Sequence, residues 1–121
     1  MNETLILISL LFLKHFVVDF PLQKPYQWMN KGTYGHLGGI LHSYLHGVGT
    51  AICFYWYAPA AALYLGVMDM VIHYHVDWAK MNINKKYGWK ADTHEAFWVL
   101  LGLDQLAHAA TYVWLVSLVT T

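Results

Sequence analysis

Asp69-Met70-Val71-Ile72-His73-Tyr74-His75-Val76-Asp77-Trp78-Ala79-Lys80 carries the pattern on which the architecture turns. Asp69, His73 and Asp77 recur every four residues. That step turns only about 40° around an α-helix, so the three share one face. Ala62 and Gly66 continue the face upstream and Lys80 extends it downstream. The surrounding segment, from about Ala60 to Met81, is otherwise apolar and near the roughly 20 residues that cross a bilayer. Ionisable groups on so apolar a helix are expected to face other protein rather than lipid.

Three further segments read in the same way, the first with an amphipathic interfacial helix as its alternative, because its unbroken apolar run ends at Leu13 ahead of Lys14-His15. They run from about Thr4 to Phe20, His36 to Tyr57 and Thr93 to Leu118. Pro21 and Pro25 stop the first, because proline cannot continue a helix. Ala58-Pro59 makes a short turn, with Pro59 suited to open a helix. Asn82 to Ala91 is a polar, basic connection. Asp92-Thr93-His94-Glu95 reads as a cap with a Glu three residues on. The expected fold is therefore all-α: one domain over residues 1–121, an up-down bundle of four transmembrane helices.

Composition agrees. Of 121 residues 58% are hydrophobic and only 12% charged, against about 25% charged in an ordinary soluble domain. Seven Lys balance seven Asp and Glu, and Arg is absent, which excludes a nucleic-acid binder. Cys53 is alone, which excludes an internal disulfide. Glu3 near the start and the lack of a small-residue cleavage site after Leu13 make the first apolar run mature structure rather than a signal peptide. Lys24, Lys31, Lys80, Lys85, Lys86 and Lys90 fall at or in two of the connections. The positive-inside rule puts these connections in the cytoplasm and both termini outside a bacterial inner membrane. Trp28, Tyr34, Trp78, Tyr87 and Trp89 then form an interfacial belt, Lys14 anchors at the interface, and lipid and a second copy of the chain are the expected partners.

Each of the other segments also carries polar residues at a four-residue step: His15 and Asp19, His42 and His46, Asp104 and His108. Gly35, Gly39, Gly49 and Cys53 share the seam of His42 and His46, and small residues let helices approach closely. Counted from the basic ends, His15, His42 and His73 fall at roughly 7–10 Å and His46, Asp69 and Asp104 at roughly 13–16 Å. Asp19 and Asp77 fall shallower, and His108 deeper. Imidazoles and carboxylates in one layer are the donor set of a divalent transition metal: Zn first, Mn or Fe next, one or two ions. His15, His42, His46, His73, Asp104, Asp69 and His108 are the expected ligands. Asp77 or Asp19 is the expected general base, and Lys80 the seat of an anionic head group. Gln105 supports the ligands, and His36, His75 and His94 lie off the stripe.

The strings Lys14-His15-Phe16-Val17-Val18-Asp19-Phe20-Pro21-Leu22-Gln23, Leu41 to His46, His73 to Lys80 and Leu103 to His108 resemble a family of small bacterial and phage integral-membrane proteins, a domain of unknown function. The resemblance implies an inner-membrane location and supplies no activity. A looser similarity joins the chain to membrane-bound metal-dependent hydrolases. The resulting expectation is an intramembrane metal-dependent hydrolase acting on a lipid from the cytoplasmic side. The alternatives are a cation or proton transporter using the same residues, and an interaction protein with a structural metal.

Overall fold

A computed structural model describes residues 2–120. Helix α1 (Glu3–Asp19) begins where the Asn2 side chain accepts a hydrogen bond from the Leu5 N–H at 3.0 Å and ends ahead of Pro21. A single-turn helix α2 (Pro25–Trp28) opens on its proline. Helix α3 (Leu37–Tyr55) is capped by His36, whose Nδ1 accepts from the Gly38 N–H. Helix α4 (Pro59–Tyr87) starts on Pro59 and stops at Gly88, which adopts the left-handed φ of 63° that glycine tolerates. Helix α5 (Glu95–Thr120) follows. Glu95 is its first residue, so the expected cap at Asp92 is displaced. Nδ1 of His94 lies 2.9 Å from the Thr93 hydroxyl and accepts from the Lys90 N–H at 3.1 Å.

The long helices alternate in direction, as the contacts of α3 with α4 show most closely. A Cβ on Gly47 would meet the Gly66 carbonyl oxygen at 2.8 Å, and one on Gly66 would meet the Gly47 oxygen at 2.5 Å. Two bare backbones touch there. An apolar core of Leu7, Leu11, Phe54, Ala62, Leu65, Tyr112, Leu115 and Val116 fills one end of the bundle. The ionisable residues occupy the other, toward the 21–36 and 88–94 connections.

The expectation of four membrane spans is overturned. The described residues are all-helical with five helices, of which only α5 is both long and apolar enough to cross a membrane. The polar stripes are the reason. Helix α1 has 17 residues, about 25 Å at 1.5 Å per residue, short of a hydrocarbon core of about 30 Å. Helix α3 loses apolarity to His42, Ser43, His46 and its glycines, and α4 to Asp69, His73, His75, Asp77 and Lys80. The outer surface is nevertheless apolar: Leu63 is 76% exposed, with Ile52, Tyr64 and Leu106 also bare.

Candidate metal centre

Helix α1 delivers Asp19 from its last residue, α3 delivers His42 and His46, and α4 delivers His73. One ligand atom from each of these four lies within 4.8 Å of all the others. His73, Asp77 and His108 make a second such group. The three imidazoles of the first group are fully buried. Asp19 Oδ1 lies 2.8 Å from Nε2 of His46 and 3.1 Å from Nε2 of His42. Asp77 Oδ2 lies 3.0 Å from Nε2 of His73 and 3.3 Å from Nε2 of His42. Nε2 of His42 and Nε2 of His73 are themselves 3.3 Å apart. Asp77 Oδ1 takes Nε2 of His108 at 3.1 Å. The rings of His46, His73 and His108 stack, with centroids 3.6 Å and then 4.0 Å apart.

Neighbouring groups set which nitrogen is free. Gln27 donates its Nε2–H to the Leu22 carbonyl at 3.1 Å, which turns Oε1 toward His42. His42 therefore donates through Nδ1, 3.2 Å from that oxygen, and Nε2 faces the carboxylates and His73. Burial lowers His42, but hydrogen bonds to Asp19 and Asp77 outweigh it, so its pKa stands above the ordinary value. A proton on Nε2 then stands where a cation would. Burial dominates at His73, whose pKa falls to about 4, and holds His46 well below its ordinary value. Both are neutral, as ligating imidazoles must be. Burial opposes the Asp19 carboxylate, but hydrogen bonds from His15, His42 and His46 overcome it and keep the acid ionised. Nδ1 of His73 and Oδ2 of Asp77 are buried without a hydrogen-bond partner. This donor set fits a divalent ion, because a cation beside Nε2 of His42 and His73 would satisfy Oδ2 of Asp77, which hydrogen bonds leave unmatched.

Lys14 is a correction: it is 7% exposed and no interfacial anchor. Gly49 leaves room for its stem, since a Cβ there would sit 2.6 Å from Lys14 Cγ. Its Nζ lies 3.0 Å from Asp69 Oδ2, 3.0 Å from the Tyr112 hydroxyl and 2.9 Å from Nδ1 of His46. Burial lowers its pKa, although Asp69 opposes the shift. Thr50 donates to the same Asp69 oxygen at 2.5 Å. Asp69 thus belongs to this adjoining network rather than to either ligand group.

His15 lies at the edge of the centre. Gln105 donates to Asp104 Oδ2 at 3.0 Å and presents Oε1 to Nε2 of His15 at 2.8 Å. That same Nε2 stands 3.0 Å from Asp19 Oδ2, while Nδ1 meets the Tyr112 hydroxyl at 2.8 Å. Asp104 supports His108 at 3.3 Å and stands 3.8 Å from Lys80 Nζ. Asp19 and Asp77, expected nearer water, lie inside the two groups. The helix ends are not level, and Asp19 at the end of α1 sits beside the middle of α3.

Four contributors escaped the sequence reading. Thr50 and Tyr112 each stand four residues beyond a stripe member, His46 and His108, so the periodicity could have found them. Gln27 and the buried Lys31, whose Nζ lies 3.4 Å from Asp77 Oδ2, come from the α2 region, where no helical period is long enough to signal them.

No curated protein and no solved structure matches the chain. Residues 6–121 match the model of the family described as Protein of unknown function (DUF3307), nearly the full length, and the chain belongs to that family.

Proposed function

We propose that this protein binds a divalent transition metal, zinc first, and uses it as a hydrolase acting on a lipid or similar amphiphile. One observation carries the reading: Nε2 atoms of three fully buried imidazoles converge on Asp19 and Asp77, with His42 turned inward by Gln27. Asp19, His42, His46 and His73 would hold the first ion. Asp77 and His108 mark a second position. Neutral imidazole with carboxylate suits Zn, Mn or Fe.

When bound, the ion would acidify a water and polarise a carbonyl or phosphoryl oxygen of the substrate. Gln27 holds the His42 ring, and Lys14 holds the His46 ring. To ligate through Nε2 as a neutral imidazole, His46 would carry its proton on Nδ1, with an uncharged Nζ of Lys14 accepting that hydrogen bond at 2.9 Å. His15 faces Asp19 and Gln105 through Nε2 and the Tyr112 hydroxyl through Nδ1, so a proton passed to a leaving group from Nε2 can be replaced at Nδ1 from that hydroxyl. The side chains of His15 and Asp19 are 14% and 10% exposed, which leaves this edge of the centre in reach of water.

The substrate class follows from the outer surface. Apolar side chains cover it, α5 is apolar enough to cross a membrane, and Lys24, Lys85, Lys86 and Lys90 cluster at the end that carries the centre. That arrangement suits the cytoplasmic side of a bacterial inner membrane.

The test is elemental analysis of detergent-purified protein together with turnover of a lipid panel. Near-stoichiometric metal, lost with hydrolysis in His42→Ala/His46→Ala, is the expected result. Metal retained in that double variant removes these ligands. The imidazole stack from His46 through His73 to His108 favours one second reading, a cation or proton path. Steady ion flux in proteoliposomes without lipid turnover would select it.

A further inference from the structure

A pocket of about 290 Å³ lies among α2, α4 and α5. Trp28, Phe97, Leu100 and Leu101 make apolar walls, and Lys80 and Asn84 bring the polar groups. Lys80 is incompletely neutralised. Its only ion-pair partner among the described residues, Asp104 Oδ2, is 3.8 Å away and already accepts from Gln105, and the Lys80 side chain stays 18% exposed. Asn84 donates Nδ2–H to the Trp89 carbonyl at 3.1 Å, which sets the amide, and its Oδ1 is buried with no donor. An apolar cavity with a few convergent polar groups is the usual form of a small-ligand site. Here the polar groups are an ammonium, which takes an anionic oxygen, and a bare acceptor, which takes a hydroxyl or N–H.

We propose that this pocket seats an acidic lipid, its anionic head on Lys80, its hydroxyl or N–H donor on Asn84 and its chain along the aromatic and leucine walls. The position fits a substrate, and that identification rests on the hydrolase reading. Lys80 connects to the centre through Asp104, His108 and Asp77 at successive separations of 3.8, 3.3 and 3.1 Å. The pocket therefore holds a head group one relay away from the ligand groups, on the side carrying the basic connections.

The experiment is calorimetric titration of the full chain in a neutral maltoside detergent with dodecanoyl lysophosphatidic acid, which has a phosphate, a hydroxyl and one chain. Glycerol phosphate lacks the chain, and monododecanoyl glycerol lacks the phosphate. Saturable binding of the first probe alone is expected, weakened at least tenfold by Lys80→Gln and severalfold by Asn84→Leu. Leu101→Trp, which fills the cavity, should abolish it. Equal binding of the uncharged glycerol ester, binding of glycerol phosphate alone, or undiminished affinity in Lys80→Gln overturns the proposal. Metal content is measured on the same samples. Lysine-dependent binding by wild-type protein that carries no metal keeps the pocket and removes the hydrolase. Loss of binding in Lys80→Gln at wild-type metal content supports the pocket and excludes misfolding.

Discussion

Nζ of Lys14 stands 3.0 Å from Oδ2 of Asp69, with both side chains withdrawn from solvent. The pair ties α1 to α4 beside the two His and Asp groups, and Thr50, Tyr112 and His46 complete its hydrogen bonds. A buried ion pair costs desolvation that only such a full set of partners offsets.

Removing one member is therefore expensive. Lys14→Met leaves Asp69 charged and unpaired and should cost about 3–5 kcal/mol of unfolding free energy. Asp69→Leu added to it should restore a large part, because the orphaned charge is gone. Denaturant unfolding of the two singles and the double measures the coupling; additive losses would show the two groups to be independent.

The contact of α3 with α4 depends on two missing Cβ atoms. Gly47→Ala or Gly66→Ala drives a methyl group into a facing carbonyl and should cost about 1–3 kcal/mol through overpacking. Gly102 in α5 is exposed, with nothing within 4 Å of a built Cβ. There Gly102→Ala should stabilise by about 0.5–1 kcal/mol, as an exposed helix interior allows. Thermal unfolding of the three variants checks the contrast.

Metal removal should loosen the whole bundle, because the ligand groups come from α1, α3, α4 and α5. An ion held at a free concentration a hundred times its Kd contributes about 2.7 kcal/mol. Chelation should lower the unfolding temperature of the wild type and leave that of His42→Ala/His73→Ala unchanged. An equal shift in both would assign the effect to the chelator acting elsewhere.

His15 and His75 separate the centre from its surroundings. His15→Ala should retain the metal yet lower hydrolysis by about 10²–10⁴-fold, the usual contribution of a positioned proton carrier. His75 is exposed and engaged with the Tyr34 hydroxyl and the Val71 carbonyl. His75→Ala should alter neither metal content nor turnover. Loss of metal in His15→Ala would make that imidazole a ligand instead.

Much of the centre is legible in the amino-acid sequence. A four-residue step puts His42 with His46, Asp69 with His73 and Asp77, and Asp104 with His108, whatever surrounds them, because it follows from the helix period alone. The same arithmetic extends to Thr50 and Tyr112. Lys14, Gln27 and Lys31 were not legible as partners. Lys14 lies off the stripes and Gln27 and Lys31 lie in short structure, and only packing between elements brings them to His46, His42 and Asp77.

Periodicity and composition by themselves determined an all-helical chain with one face of imidazoles, carboxylates or both on each long helix, since those properties are local to a segment. Only the tertiary arrangement decided which faces meet. The relative height of α1 sets Asp19 against His42 and His46 and leaves Asp69 to Lys14, because pairing across helices depends on the close approach at Gly47 and Gly66 and on where each helix stops. The count of membrane-capable helices followed from where each helix ends and from apolarity given up to the stripes: α1 is too short, α3 and α4 carry residues that build the centre, and α5 alone among the described helices stays long and apolar enough for lipid.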